Sequence, residues 1–177
     1  GTNTNVALNS TYKNRSRPEY LNSLGNTLVN VARVVPDGLL VFFPSYSAME
    51  CCVDAWKRPG SDNRDSVWER ITKLKRAVVE PRGSLAFGDA IDDFYEKLAA
   101  ADHRGAVFFA VLRGKASEGI DFADANGRAV VVTGLPYPSL NDARVLEKRR
   151  FLDEQAQLAQ QRRRRQDDVA AAAAVAA

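Results

Sequence analysis

A chain of 177 residues, 45% hydrophobic and 27% charged, holds enough apolar material for one domain with a core, and its balance is that of an ordinary soluble globular protein rather than a fibrous or disordered one. The formal net charge is +3, but Arg162–Arg165 with Asp167 and Asp168 supply two of those three charges, so the rest is close to neutral and bulk charge gives no argument for nucleic acid. No run of about 18 apolar residues exists, so no membrane span is expected.

Residues 1–18 form a polar lead-in without the apolar stretch of a secretory signal, and the absent initiator Met leads us to expect that the chain begins inside a longer protein. Leu21, Leu24, Leu28, Val31 and Val35 recur at helical spacing and predict an amphipathic helix over 19–34. The run GLLVFF (38–43), bounded by Pro36-Asp37-Gly38 and Pro44, predicts a buried strand. Ser45 is placed to cap a helix whose apolar stripe is Tyr46, Met49, Val53 and Trp56. Cys51 and Cys52 fall on that helix. Neighbours there point different ways, so they are expected to be reduced thiols, and two thiolates are too few for an iron–sulfur cluster.

Residues 57–63 read as a surface loop, and Val67, Ile71 and Leu74 as a short helix. AVVE (77–80) is a short strand stopped by Pro81. Ile91, Phe94, Tyr95 and Leu98 mark a further helix. His103, the single histidine, is expected in a surface loop. AVFFAVL (106–112) and RAVVVTGL (128–135) are buried strands. Beyond about 154 the large apolar residues run out, and 155–177 is expected to be an exposed extension, partly helical or disordered.

Continuously apolar strands alternating with helices predict an α/β fold: a parallel sheet with helices on both faces. Ligands of such sheets bind at the carboxyl ends of the strands. The stretch RGKASEGIDF (113–122) follows one of these ends. It is not a Walker A loop: Ala116 stands where Ser or Thr is needed, and the first glycine position falls on Phe109, inside a strand. From its own residues it is either a turn relieved by Gly114 and Gly119 or a ligand loop.

The wider pattern weighs on that choice. AVLRGKASEGIDFADANGRAVVVTGLPYP resembles motif V and the following strand of the iron–sulfur DNA helicases, the family of the xeroderma pigmentosum group D and Fanconi group J helicases. LGNTLVNVARVVPDGLLVFFPSYSAMECCVDAW (24–56) resembles the motif IV region, and RAVVVTGLPYPSLNDARVLEKRRFLDE (128–154) continues the likeness. The phrase RVVPDGLLVFFPSY and the ending FLDE are most similar to the telomere-elongation-regulator branch.

The resemblance implies that 19–154 is part of a RecA-like domain, the second motor domain of a superfamily 2 helicase. It implies an ATP-dependent DNA helicase, 5′ to 3′ in polarity, acting in the nucleus in repair or telomere maintenance. It assigns nucleotide coupling to Ser117, Glu118, Gly119 and Asp121, and nucleic-acid contact to Ser45, Tyr46, Arg113 and Lys115. Phe122 is expected to anchor the loop in the core, and Tyr137 to pack between its two prolines.

ATP and Mg2+ would serve the complete enzyme, with DNA and a first RecA-like domain as partners. The family's 4Fe–4S cluster has no ligand set here, and no other metal site is expected. Walker A, the Asp-Glu box and motif VI are not found in these residues. QQRRRRQDD lacks the glycine and apolar framing of motif VI. The alternative reading is therefore an inactive nucleic-acid- or partner-binding fragment.

Overall fold

The computed structural model describes residues 6–60, 64–83, 85–100, 103–137 and 142–175, and their side chains except at 118, 119 and 165–175. Helix α1 (Pro18–Val34) opens with proline in its first turn, where a missing N–H costs nothing. Its stripe of Leu21, Leu24, Leu28 and Val29 is buried. Strand β1 (Leu39–Phe43) follows, then α2 (Tyr46–Lys57), capped as expected by Ser45, whose Oγ accepts from the Ala48 N–H at 3.2 Å.

Helix α3 (Val67–Thr72) begins in a capping box: Ser66 Oγ accepts from Glu69 N, and Glu69 Oε2 accepts from Ser66 N. Next come β2 (Arg76–Val79), α4 (Ala86–Ala99) and β3 (Ala106–Val111). The short α5 (Lys115–Gly119) and a single 3-10 turn (Asp124–Gly127) lead to β4 (Ala129–Val132).

The sheet is parallel throughout, in the order β2-β3-β1-β4. Leu39 stands opposite Val107 on one side and Ala129 on the other. Alternation along each strand divides the core in two. Leu39, Val41, Phe43, Val107 and Phe109 face α1, α2 and α3, while Leu40, Phe42, Phe108 and Ala110 face α4 and α5. The first layer is filled by rings: Trp56 lies 6.2 Å from Phe43 and 6.0 Å from Phe109, centroid to centroid. Helices thus cover both faces, as the apolar strands predicted.

Strand β4 departs from the expectation. It is four residues long, shorter than 128–135, and Val130 and Val132 are exposed while Ala129 and Val131 pack on the first layer. It lies at the end of the strand order, paired to β1 alone, and the face bearing Val130 and Val132 is exposed. His103 lies in a half-buried bend, and both cysteines are free thiols on α2.

The chain divides into two compact units, Gly1–Pro136 and Tyr137–Ala177. The second contains α6 (Ala143–Val175), a polar helix of 33 residues that runs through position 154 without a break where the composition changes. Among the described residues no helix is long and apolar enough to cross a membrane.

Candidate functional site

The carboxyl ends of the strands collect the loops in question. Because β3 lies between β2 and β1, the turn after β3 is flanked by Glu80-Pro81-Arg82 on one side and Pro44-Ser45-Tyr46 on the other. Glu80 N donates to Phe109 O at 2.8 Å, and the next donor along β3, Val111 N, is taken by the Glu80 side chain, whose Oε2 accepts at 2.8 Å. The other carboxylate oxygen, Oε1, accepts from the Tyr46 hydroxyl at 3.0 Å. Glu80 is 2% exposed, so both acceptors are used inside the protein.

Tyr46 is held a second time. The Arg82 guanidinium lies 5.6 Å from its ring centroid, and Arg82 is itself forked onto Glu50, with Nε–Oε1 at 2.6 Å and Nη2–Oε2 at 2.5 Å. Burial, and then the bond to Glu80, push the Tyr46 phenol above its ordinary pKa, while Arg82 pulls the other way. Ser45 is the cap of α2. Its oxygen accepts from Ala48 N, which leaves its own proton able to donate outward.

After β3 the chain turns sharply. Arg113 is exposed and left-handed (φ 61°), an unfavourable conformation for a side-chain-bearing residue. Gly114 follows because nothing larger fits: a Cβ there would meet Val111 O at 2.8 Å and Glu80 Oε1 at 3.0 Å. Lys115 opens α5 with its ammonium 5.8 Å from the Phe87 ring centroid. The Ser117 hydroxyl donates to Gly114 O at 3.0 Å, tightening the turn. Glu118 and Gly119 belong to α5, but the surroundings of their side-chain positions lie outside the described residues.

Ile120 and Phe122 then pack into the second core layer. Phe122 stands edge-on to Phe94, with centroids 6.0 Å apart. Asp121, between them, points the opposite way and is exposed. Phe122 is thus an anchor of the loop, as expected. Tyr137, expected to pack between its prolines, is instead 81% exposed; Pro138 lies outside the described residues.

The structure brings Tyr46 and the turn at Gly114 onto one carboxylate, which the sequence reading had not singled out. Glu80 looked like the polar end of a short strand. The signal that could have found it is the Glu-Pro-Arg sequence itself, an acid and a base held two residues apart by a rigid proline at a strand end. A second feature missed is the lead-in. Ser10 and Arg15 line a cavity of about 130 Å3 with Tyr20, Ser47, Cys51 and Thr133, beside the start of α2.

A parallel sheet layered by helices on both faces, with its polar loops gathered at the strands' carboxyl ends, defines a RecA-like α/β domain. The helicase C-terminal domain family matches residues 28–176, and the chain belongs to that family. It is 59% identical over 152 residues to the regulator of telomere elongation helicase 1 homolog of Arabidopsis thaliana, covering 86% of this chain and 15% of that protein. It is 54% identical over 144 residues to the protein of the same name from Drosophila persimilis, covering 81% and 14%. A solved XPD helicase aligns with a TM-score of 0.47 at 24% identity, over 75% of this chain and 20% of the other. The chain therefore spans about 15% of the length of the curated relatives it matches.

Proposed function

We propose that this chain forms part of the second motor domain of an ATP-dependent DNA helicase, working 5′ to 3′ in the nucleus in DNA repair or telomere maintenance. The observation that carries the reading is the 113–122 loop. It leaves the carboxyl end of a buried strand, is anchored by Ile120 and Phe122, and displays Asp121 between those anchors. Ser117, Glu118, Gly119 and Asp121 are assigned to nucleotide coupling. Ser45, Tyr46, Arg113 and Lys115 are assigned to nucleic acid.

The chemistry of the donors fits that division. A carboxylate is acceptor-only, so Asp121 suits a ribose hydroxyl and not a phosphate. Phosphate oxygens take donors, which Arg113, Lys115 and the outward proton of Ser45 supply. Tyr46 gives its proton to Glu80 and so offers a ring in place of a donor. The triphosphate and its Mg2+ are assigned to a first motor domain. Phe109, at the position a phosphate cradle would need as glycine, is fully buried in β3. ATP supplies the free energy of translocation when bound between two such domains, and this chain's part is positioning. An iron–sulfur cluster does not fit these residues: Cys51 and Cys52 are the only two thiols, and burial pushes Cys52 up to about 12.

In a complete helicase carrying this segment, Asp121→Asn is expected to keep the fold and lower DNA-stimulated ATP turnover at least ~10-fold, or about 1.4 kcal/mol of transition-state stabilisation. Nucleotide affinity should fall less. Unaltered turnover in a folded variant would reduce the loop to a structural connection. The second reading is that these 177 residues by themselves, in which no Walker A sequence occurs, act as a binding module without turnover. It expects single-stranded DNA binding by the purified chain with phosphate release no greater than a buffer blank.

A further inference from the structure

Glu80 is the only buried carboxylate among the described residues, and both of its oxygens are occupied by groups from other elements: Val111 N of β3 and the Tyr46 hydroxyl of α2. The turn is seated directly on it, since a Cβ at Gly114 would lie 3.0 Å from Oε1. Two residues on, Arg82 covers the Tyr46 ring and is fixed in turn by Glu50. One strand terminus therefore holds Tyr46 at its hydroxyl and at its ring face, and holds the Val111–Gly114 turn with the same carboxylate.

We propose that Glu80 is a positioning residue that ties Tyr46 to the Val111–Lys115 turn, so that the motif IV and motif V segments meet a nucleic acid as one unit. The ligand named rests on the function proposed above; the tie itself does not. As a carboxylate, Glu80 accepts from both groups at once, the Val111 amide and the Tyr46 hydroxyl. Glutamine can keep both contacts, its oxygen on Val111 N and its NH2 on the Tyr46 oxygen, whereas leucine fills a similar space and can bond neither. Among the described hydrogen bonds, Tyr46 reaches the turn only through this carboxylate.

The test uses the full chain and two readouts. In hydrogen exchange without ligand, Tyr46→Phe should raise exchange at the Val111 amide about 10-fold, although Tyr46 does not bond to that amide, while core amides of α1 stay as in the parent. In a Glu80→Leu background, where neither bond can form, the same change should add nothing. If Glu80 only satisfies a buried N–H, Tyr46→Phe will be silent at Val111, and the proposal fails. In fluorescence anisotropy with a labelled oligothymidylate, both single variants should bind about 10-fold more weakly than the parent, with the double variant no worse. Equal binding by parent and variants would overturn the positioning role. Coupled exchange in a chain that does not bind the oligonucleotide would support the tie and sink the nucleic-acid reading instead.

Discussion

Lys75 enters β2 with its ammonium buried, donating to Asp37 O at 2.6 Å and Arg104 O at 2.8 Å, and so joins two loops at the amino edge of the sheet. Burial lowers its pKa to about 8 from 10.5; the Asp37 carboxylate opposes the shift and the Arg104 guanidinium adds to it. Below pH 8 both folded and unfolded chains carry the proton, and the cost of the buried cation is present in full. Between 8 and 10.5 the unfolded chain binds more protons, so this group makes stability rise with pH. Cys52 works the other way. Its thiol is held neutral up to about 12 against an ordinary 9, so its contribution falls above pH 9. The clean window is therefore pH 8 to 9. There the stability of the parent should rise relative to Lys75→Met, by up to about 1.4 kcal/mol per pH unit. Parallel denaturation profiles for the two proteins would show that the ammonium is not desolvated. Neither Lys75 nor Glu80 was legible in the sequence, because each is buried by partners 29 to 38 positions away. Ser45 was legible because its partner is three residues on.

At the scale of elements, the helices and strands were read well where periodicity was strong. β1 and β3 are buried on both faces, and a continuous apolar run says as much. The end of β4 was misplaced because the run VVVTGL stays apolar, while beyond Thr133 N, which still donates to Phe42 O, the chain leaves the ladder. The close meeting of α1, α2 and α3 was not legible either. Gly25 lies inside a helix, where a glycine is, by propensity alone, a weak point. A Cβ there would lie 2.6 Å from Val67 Cγ1 and 2.7 Å from Trp56 Nε1, and that indole N–H already donates to Leu21 O at 2.9 Å. The ring cannot move without breaking its bond and disturbing Phe43 and Phe109. Gly25→Ala should therefore destabilise the domain by about 1–3 kcal/mol, despite alanine's better helix propensity. Urea denaturation measures it, and a gain in stability would mean that the three helices have room to separate.

At the scale of the molecule, the described side chains from Leu146 to Arg164 are all exposed. Ending the chain at Gln160 removes residues that cost about 1–2 kcal/mol each to order, and the described side chains among them, 161–164, are exposed. Its melting temperature should stay within about 2 °C of the parent, where a loss of 1 kcal/mol would shift a domain of this size by more than that. A larger drop would mean that the distal helix contributes to the fold. The register of the sheet has a consequence in time. β1 is an interior strand, yet its partners are synthesised far behind it: Leu39 pairs with Val107, 68 residues on, and with Ala129, 90 residues on. At about 5–20 residues per second the LLVFF segment waits on the order of 5–20 s after leaving the ribosome for its second neighbour. Until β3 emerges this apolar strand has two open edges, and until β4 emerges it still has one, each a template for pairing with another chain. Nascent-chain survival therefore depends on α1 and α2, both complete by Lys57, shielding one face of it before the sheet can close.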